Sequence, residues 1–199
     1  MPYIPCESRG AECRETFSWQ RPVQTQTPDP LASANAAYAR ALTMMREGAP
    51  RREILARLAS AAETIAGQGC VASILVLDNE GLLRNGASPN LPADYLDAID
   101  RLKPNADLGT CAAAAATGEV VVTPDFCADR KWAELRHLPM ALGFVGAWSQ
   151  PIKSNDGRIL GTFGTYYRER REPNLPERQA VRILASAAAL VVDGDPVRQ

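Results

Sequence analysis

Cys111 has the setting in this sequence that most invites chemistry. It stands in LGTCAAAAAT, in the first turn of a short Ala-rich helix read over Thr110 to Thr117 and entered through Gly109. A helix start presents unpaired backbone N–H groups and a positive dipole end. That end draws anions and favours a thiolate over a thiol. Two chemistries follow. A small ligand, an anion among them, can sit against Leu108, Gly109, Thr110, Cys111 and Ala112, or Cys111 can act as a nucleophile. The same small residues also let a helix pack closely on a sheet, and cysteine is equally at home as a small buried hydrophobe. Tyr95, Trp132, Phe144 and Trp148 can line an apolar pocket with polar tips, or simply fill a core. Ser149 and Gln150 follow Trp148 and must alternate between the two faces of their strand.

The remaining reactive residues are sparse. His137 is the sole imidazole, and the five cysteines (Cys6, Cys13, Cys70, Cys111, Cys127) are odd in number, scattered and free of any CxxC pair. That pattern fits reduced thiols in a cytoplasmic protein better than a disulfide framework, and it does not support a Cys/His zinc site. Asp100, Asp125 and Asp129 match no loop motif for a hard cation. The run from Arg168 to Glu172 is mixed in sign and reads as a solvated loop. A net charge of −1 with no basic tract leaves no electrostatic footprint for nucleic acid. No apolar run is long enough to span a membrane, and the N-terminus lacks an export signal.

The elements that must position these residues are legible from pattern. Gly143 to Tyr167 (GFVGAWSQPIKSNDGRILGTFGTYY) reads as a hairpin: strands over Phe144–Ile152 and Ile159–Tyr167 flank a turn at Ser154-Asn155-Asp156-Gly157. Two strands cannot bury their own apolar faces, so a larger sheet with covering helices is required. Cys70–Leu77 and Leu82–Ala87 make a second hairpin, and Val120–Thr123 a short strand. Helical spacing marks Pro30–Glu47, with Asp29 as cap, and then Arg51–Ala66, which ends at Gly67. It also marks the segment from Pro92 to Lys103, Trp132–Leu138 and Glu177–Val192. The order predicts an α+β domain over residues 30–193, with a loosely ordered arm at 1–29 and a tail at 194–199.

Several stretches together resemble a GAF domain: ASILVLDNEGLLRNGASPNLPADYLDAID, LGTCAAAAATGEVVV, DRKWAELR and WSQPIKSNDGRILGTFGTYYRERREP. The resemblance covers roughly residues 50–193. It is similar to modules of bacterial sensor kinases, two-component systems and cyclic-dinucleotide enzymes. It implies a PAS-like fold with a six-stranded antiparallel sheet and helices on both faces. A ligand pocket would be roofed by the segment from Asn90 to Leu138, with Trp148 in its floor. It further implies a non-enzymatic sensor without a cofactor, a small-molecule ligand, a homodimer through the terminal helices, and output through a partner such as a sensor kinase. Ala106 and Ala112 stand where similar modules carry glycine. Three alternatives travel with the resemblance. One is a module serving only dimerisation. Another is a haem gas sensor ligated by His137, within RHLPM. The third is a free methionine-(R)-sulfoxide reductase acting through Cys111.

Overall fold

The computed structural model describes residues 29–194. The arm and the tail therefore lie outside the described residues, apart from Asp29 and Gly194. Five strands form one antiparallel sheet: β1 (Val71–Leu77), β2 (Leu83–Ala87), β3 (Val121–Thr123), β4 (Gly146–Lys153) and β5 (Ile159–Tyr167), in the order β2-β1-β5-β4-β3. The expected hairpin is β4–β5, paired Trp148↔Thr165, Ser149↔Gly164 and Gln150↔Phe163. Its turn closes with the Gly157 N–H donating to the Ser154 carbonyl at 3.0 Å. Gly157 adopts φ +87°, a conformation that a Cβ penalises.

The sheet has five strands where six were expected. The chain does return beside β2, but only as a single bridge between Leu83 and Leu102. Arg101, at φ +62°, turns the backbone out of extended geometry just before the bridge. Pro104 follows and cannot donate to a ladder.

Strand periodicity sorts side chains into two cores. On one face Ile74, Val76, Trp148, Ile152, Phe163 and Tyr167 pack against α1 (Pro30–Arg46), α2 (Arg51–Ala66) and α6 (Leu175–Asp193). Leu55, Leu58 and Leu184 are fully buried there, each contributing about 1.5–3 kcal/mol by leaving water. Asp29 caps α1 by accepting from the Leu31 N–H, and Pro30 fills the first position, where no backbone donor is needed. α6 starts two residues earlier than expected. Asn174 accepts from the Glu177 N–H, and Pro176 sits in the first turn. Its alanines at 180, 185, 187, 188 and 189 are buried, so α1, α2 and the sheet close tightly around it.

On the opposite face Val71, Leu75, Ala147 and Tyr166 pack under a roof made of α3 (Ala93–Ala98), α4 (Cys111–Thr117), a 3-10 turn at Arg130–Trp132 and α5 (His137–Ala141). The helix expected over Trp132–Leu138 is thus split into a 3-10 turn and a later helix. Pro139 lacks the N–H a continuous helix would need and sits instead in the first turn of α5, where none is required.

The loop after β5 is not merely solvated. The Arg171 side chain is 22% exposed and pairs with Glu177 at 2.8 Å. Glu177 also accepts from the Tyr167 hydroxyl. Arg171 donates to the Ala66 carbonyl at the end of α2, at 2.9 Å, and its guanidinium stacks 3.8 Å over the Tyr167 ring. One arginine therefore ties β5, α2 and α6 together.

Candidate functional site

Between roof and sheet lies a cavity of about 20 Å³, room for roughly one water. Its walls are Leu75 and Tyr166 from the sheet, Tyr95 and Ile99 from the α3 segment, Leu102, Leu108, Gly109, Thr110, Cys111 and Ala112 around the start of α4, and Trp132, Leu135 and Leu138 from the roof. None of these side chains carries a formal charge at neutral pH. Gly109, at φ +56°, turns the chain into α4 and brings its backbone against the Trp132 indole; a Cβ there would lie 3.8 Å from the ring. The Gly109 N–H donates to the Lys131 carbonyl at 2.7 Å, which joins the two roof segments.

Two hydroxyl-rich contacts cross the cavity region. The Tyr95 hydroxyl, from the roof, donates to that of Tyr166 on β5 at 3.0 Å, and the rings meet edge to face with centroids 6.0 Å apart. The Ser149 hydroxyl donates to Thr110 at 2.9 Å and lies 3.1 Å from Cys111 Sγ. Trp132 is buried beside Phe126, ring centroids 4.2 Å apart, and its Nε1–H has no partner. An unpaired buried donor costs roughly 1–3 kcal/mol; the Trp148 Nε1–H, on the opposite face of the sheet, is unpaired as well.

The titratable groups here are held neutral. Burial pushes the Cys111 thiol above its ordinary range, only partly offset by the hydroxyls of Ser149, Thr162 and Thr110. Burial likewise raises the Tyr166 hydroxyl strongly, and Tyr95 with it. Desolvation thus favours the neutral thiol at Cys111.

The expected site residues divide cleanly. Tyr95, Leu108, Gly109, Thr110, Cys111, Ala112 and Trp132 meet at the cavity. Phe144 belongs to the same layer but packs behind it, 5.5 Å from the Tyr166 ring and under the Arg168 guanidinium. Trp148 is corrected: it faces the opposite core, among the terminal helices. Its neighbour Ser149 is the β4 residue that reaches α4. Tyr166 is a cavity wall outside the expected set, and the hairpin register carries its signal. Ser149 pairs with Gly164, and Tyr166 lies two residues on, on the same face.

His137 is exposed at the start of α5 and is not a cavity wall, and a water-sized space does not hold a haem. Asp129 accepts from Thr123 and Lys131, Asp125 pairs with Arg170, and Asp100 pairs with Arg84. No three His, Cys, Asp or Glu side chains converge among the described residues, and no helix there is long and apolar enough to cross a membrane.

A family model described as GAF domain matches residues 48–193. The Methyl sulfide methyltransferase-associated sensor of Methanosarcina acetivorans is 32% identical over 155 residues, 77% of this chain; the chain spans 15% of that relative's length. Among solved structures, the GAF domain of a phosphoenolpyruvate-protein phosphotransferase from Coxiella burnetii superposes with a TM-score of 0.66 at 16% identity, covering 85% of this chain and 96% of that one. The reduced form of fRMsr from Staphylococcus aureus superposes with a TM-score of 0.62 at 12% identity, over 80% and 94%. At such identities the superpositions speak for the fold alone.

Proposed function

The chain belongs to the GAF domain family, and we propose that it is a non-enzymatic sensor of a small molecule, held between the Leu108–Ala112 segment and the β4–β5 face of the sheet. The observation that carries this reading is the Trp132 Nε1–H, buried without a partner in a wall of the cavity. The tyrosine pair adds a second donor, since two hydroxyls bonded to each other use only one of their two protons. Donors without acceptors, in a space free of formal charge, fit a neutral ligand with an apolar body and a hydrogen-bond acceptor. A small anion, the expectation from the helix start, would lose its hydration against walls that offer no cation.

A ligand larger than water must part the roof from the sheet, so it binds the open state better and shifts the population toward it. Tyr166 and Tyr167 give that shift a route. Tyr166 bonds the roof, while the next residue, on the other face, bonds Glu177 of α6. Output then passes through the α1–α2–α6 layer to a second copy of the chain or to a partner such as a sensor kinase in the cytoplasm.

A Cys111-dependent sulfoxide reductase is disfavoured by the raised thiol pKa. Thermal unfolding against a panel of small neutral acceptors and small anions tests the reading. A ligand at about 100 times its Kd adds about 2.7 kcal/mol, expected from neutral compounds. A panel in which only anions stabilise, or nothing does, contradicts it.

A further inference from the structure

Outside the cavity, the roof carries two sulfur side chains on its solvent face. Cys127 is exposed, and its Sγ lies 3.8 Å from Sδ of Met140 on α5. Met140 is 42% exposed, one of three large hydrophobic residues so placed among the described residues. Cysteine is among the residue types most often buried, so an exposed thiol against an exposed thioether is an unusual use of both. His137, the chain's single histidine, is the first residue of α5, three before Met140, and is exposed. Residues three apart on a helix are neighbours on one face. Within the RHLPM stretch, Leu138 lines the cavity and Pro139 is buried, so His137 and Met140 are left together on the outer face of α5, where Met140 meets Cys127.

We propose that Cys127, Met140 and His137 form a surface site for a soft monovalent d¹⁰ cation, copper(I) being the biological example. The sulfur–sulfur distance suits one shared ion. With metal–sulfur bonds of about 2.3 Å, a 3.8 Å separation corresponds to an S–M–S angle of about 110°, between the tetrahedral and trigonal values. Thiolate and thioether ligands select copper(I), and an imidazole is compatible with it. A hard cation finds too little here, since the two carboxylates nearest in sequence to Cys127 are already engaged, Asp125 by Arg170 and the Cys127 N–H, and Asp129 by Lys131 and Thr123. On binding, the Cys127 S–H bond breaks and a sulfur–metal bond forms. The proton goes to solvent, and neither metal nor sulfur changes oxidation state. The site is independent of the cavity, and loading it would pin α5 to the 125–128 loop.

The test is an anaerobic competition titration of the full chain carrying C6S and C13S, so that the two N-terminal thiols do not compete, against a chromogenic copper(I) chelator. The expected result is withdrawal of one equivalent of copper(I), abolished by C127S. M140L and H137A should each weaken binding by at least about tenfold, with unchanged far-UV circular dichroism, since all three positions are exposed. Equal binding by C127S overturns the proposal, because another thiol would then hold the metal. Full-strength binding by M140L also overturns it, because Cys127 would then be acting as a bare surface thiol.

Discussion

The hydroxyls of Tyr95 and Tyr166 meet at 3.0 Å across the cavity, one carried by the roof and the other by the central strand of the sheet. This is a direct polar link between the two walls that a ligand must separate. Tyr95→Phe removes it while keeping the ring contact. The expected cost is about 1 kcal/mol, read as a lower urea midpoint at unchanged m-value. Hydrogen exchange of the α3 segment should accelerate more than that of α6. Uniform acceleration would show that the pair does not hold the roof in particular.

Gly164 and Cys111 form a steric pair. A Cβ on Gly164 would stand 2.9 Å from Cys111 Sγ, so Gly164→Ala should destabilise by about 1–3 kcal/mol through overpacking. Cys111→Ala removes the offending sulfur. The double variant is therefore expected to be more stable than the sum of the single effects predicts, a coupling that a double-mutant cycle in urea measures. Strict additivity would mean that the sulfur moves aside freely.

The Cys111 thiol should be inert in the folded protein. Among the described cysteines, thiol reagents are expected to label Cys127 first, half-buried Cys70 more slowly, and Cys111 only as the chain unfolds. The pH dependence follows from the direction of the shift. Folded Cys111 stays protonated above its ordinary pKa of 9.0, whereas the unfolded thiol ionises there. Its contribution is thus fully present below that value and is lost progressively from there up to the raised folded pKa, with a slope of at most about 1.4 kcal/mol per pH unit. Between pH 7 and 11 the native chain should lose stability relative to Cys111→Ala as pH rises above 9.0, so that any advantage of the native chain narrows. A parallel course would show that burial does not raise the thiol.

Pattern made the hairpins legible because Asp156-Gly157 between alternating apolar runs leaves few other conformations. The short polar contacts were harder. Nothing in a one-dimensional pattern says which face of β4 carries Trp148, because both faces of this sheet are covered and neither is polar. The register settles it: Trp148 shares its face with Phe163 and Ile152, and Ser149 shares its own with Gly164 and Tyr166. By pattern alone Arg171 reads as a solvated loop charge and Glu177 as the start of a helix. The spacing Asn174-x-x-Glu177 is a capping-box signal, but burial of the carboxylate depends on an arginine reaching across to α2, which only tertiary packing creates.

That ion pair should matter for stability. Arg171→Met leaves Glu177, 2% exposed, without its cation, and the expected loss is about 3 kcal/mol. Replacing both, Arg171→Met with Glu177→Gln, should recover part of it. Urea unfolding of the two variants beside the native chain decides. A mild effect for Arg171→Met alone would mean that solvent compensates the carboxylate.

The most direct measurement compares the two buried indoles whose N–H groups both lack partners, Trp132 in the cavity wall and Trp148 on the opposite face of the sheet. A neutral compound that raises the melting temperature of the native protein would be titrated calorimetrically into Trp132→Phe and Trp148→Phe. The expected result is affinity weakened by about tenfold in Trp132→Phe, the loss of one hydrogen bond, and unchanged in Trp148→Phe. Equal affinity in Trp132→Phe and the native protein would contradict a ligand held at this cavity.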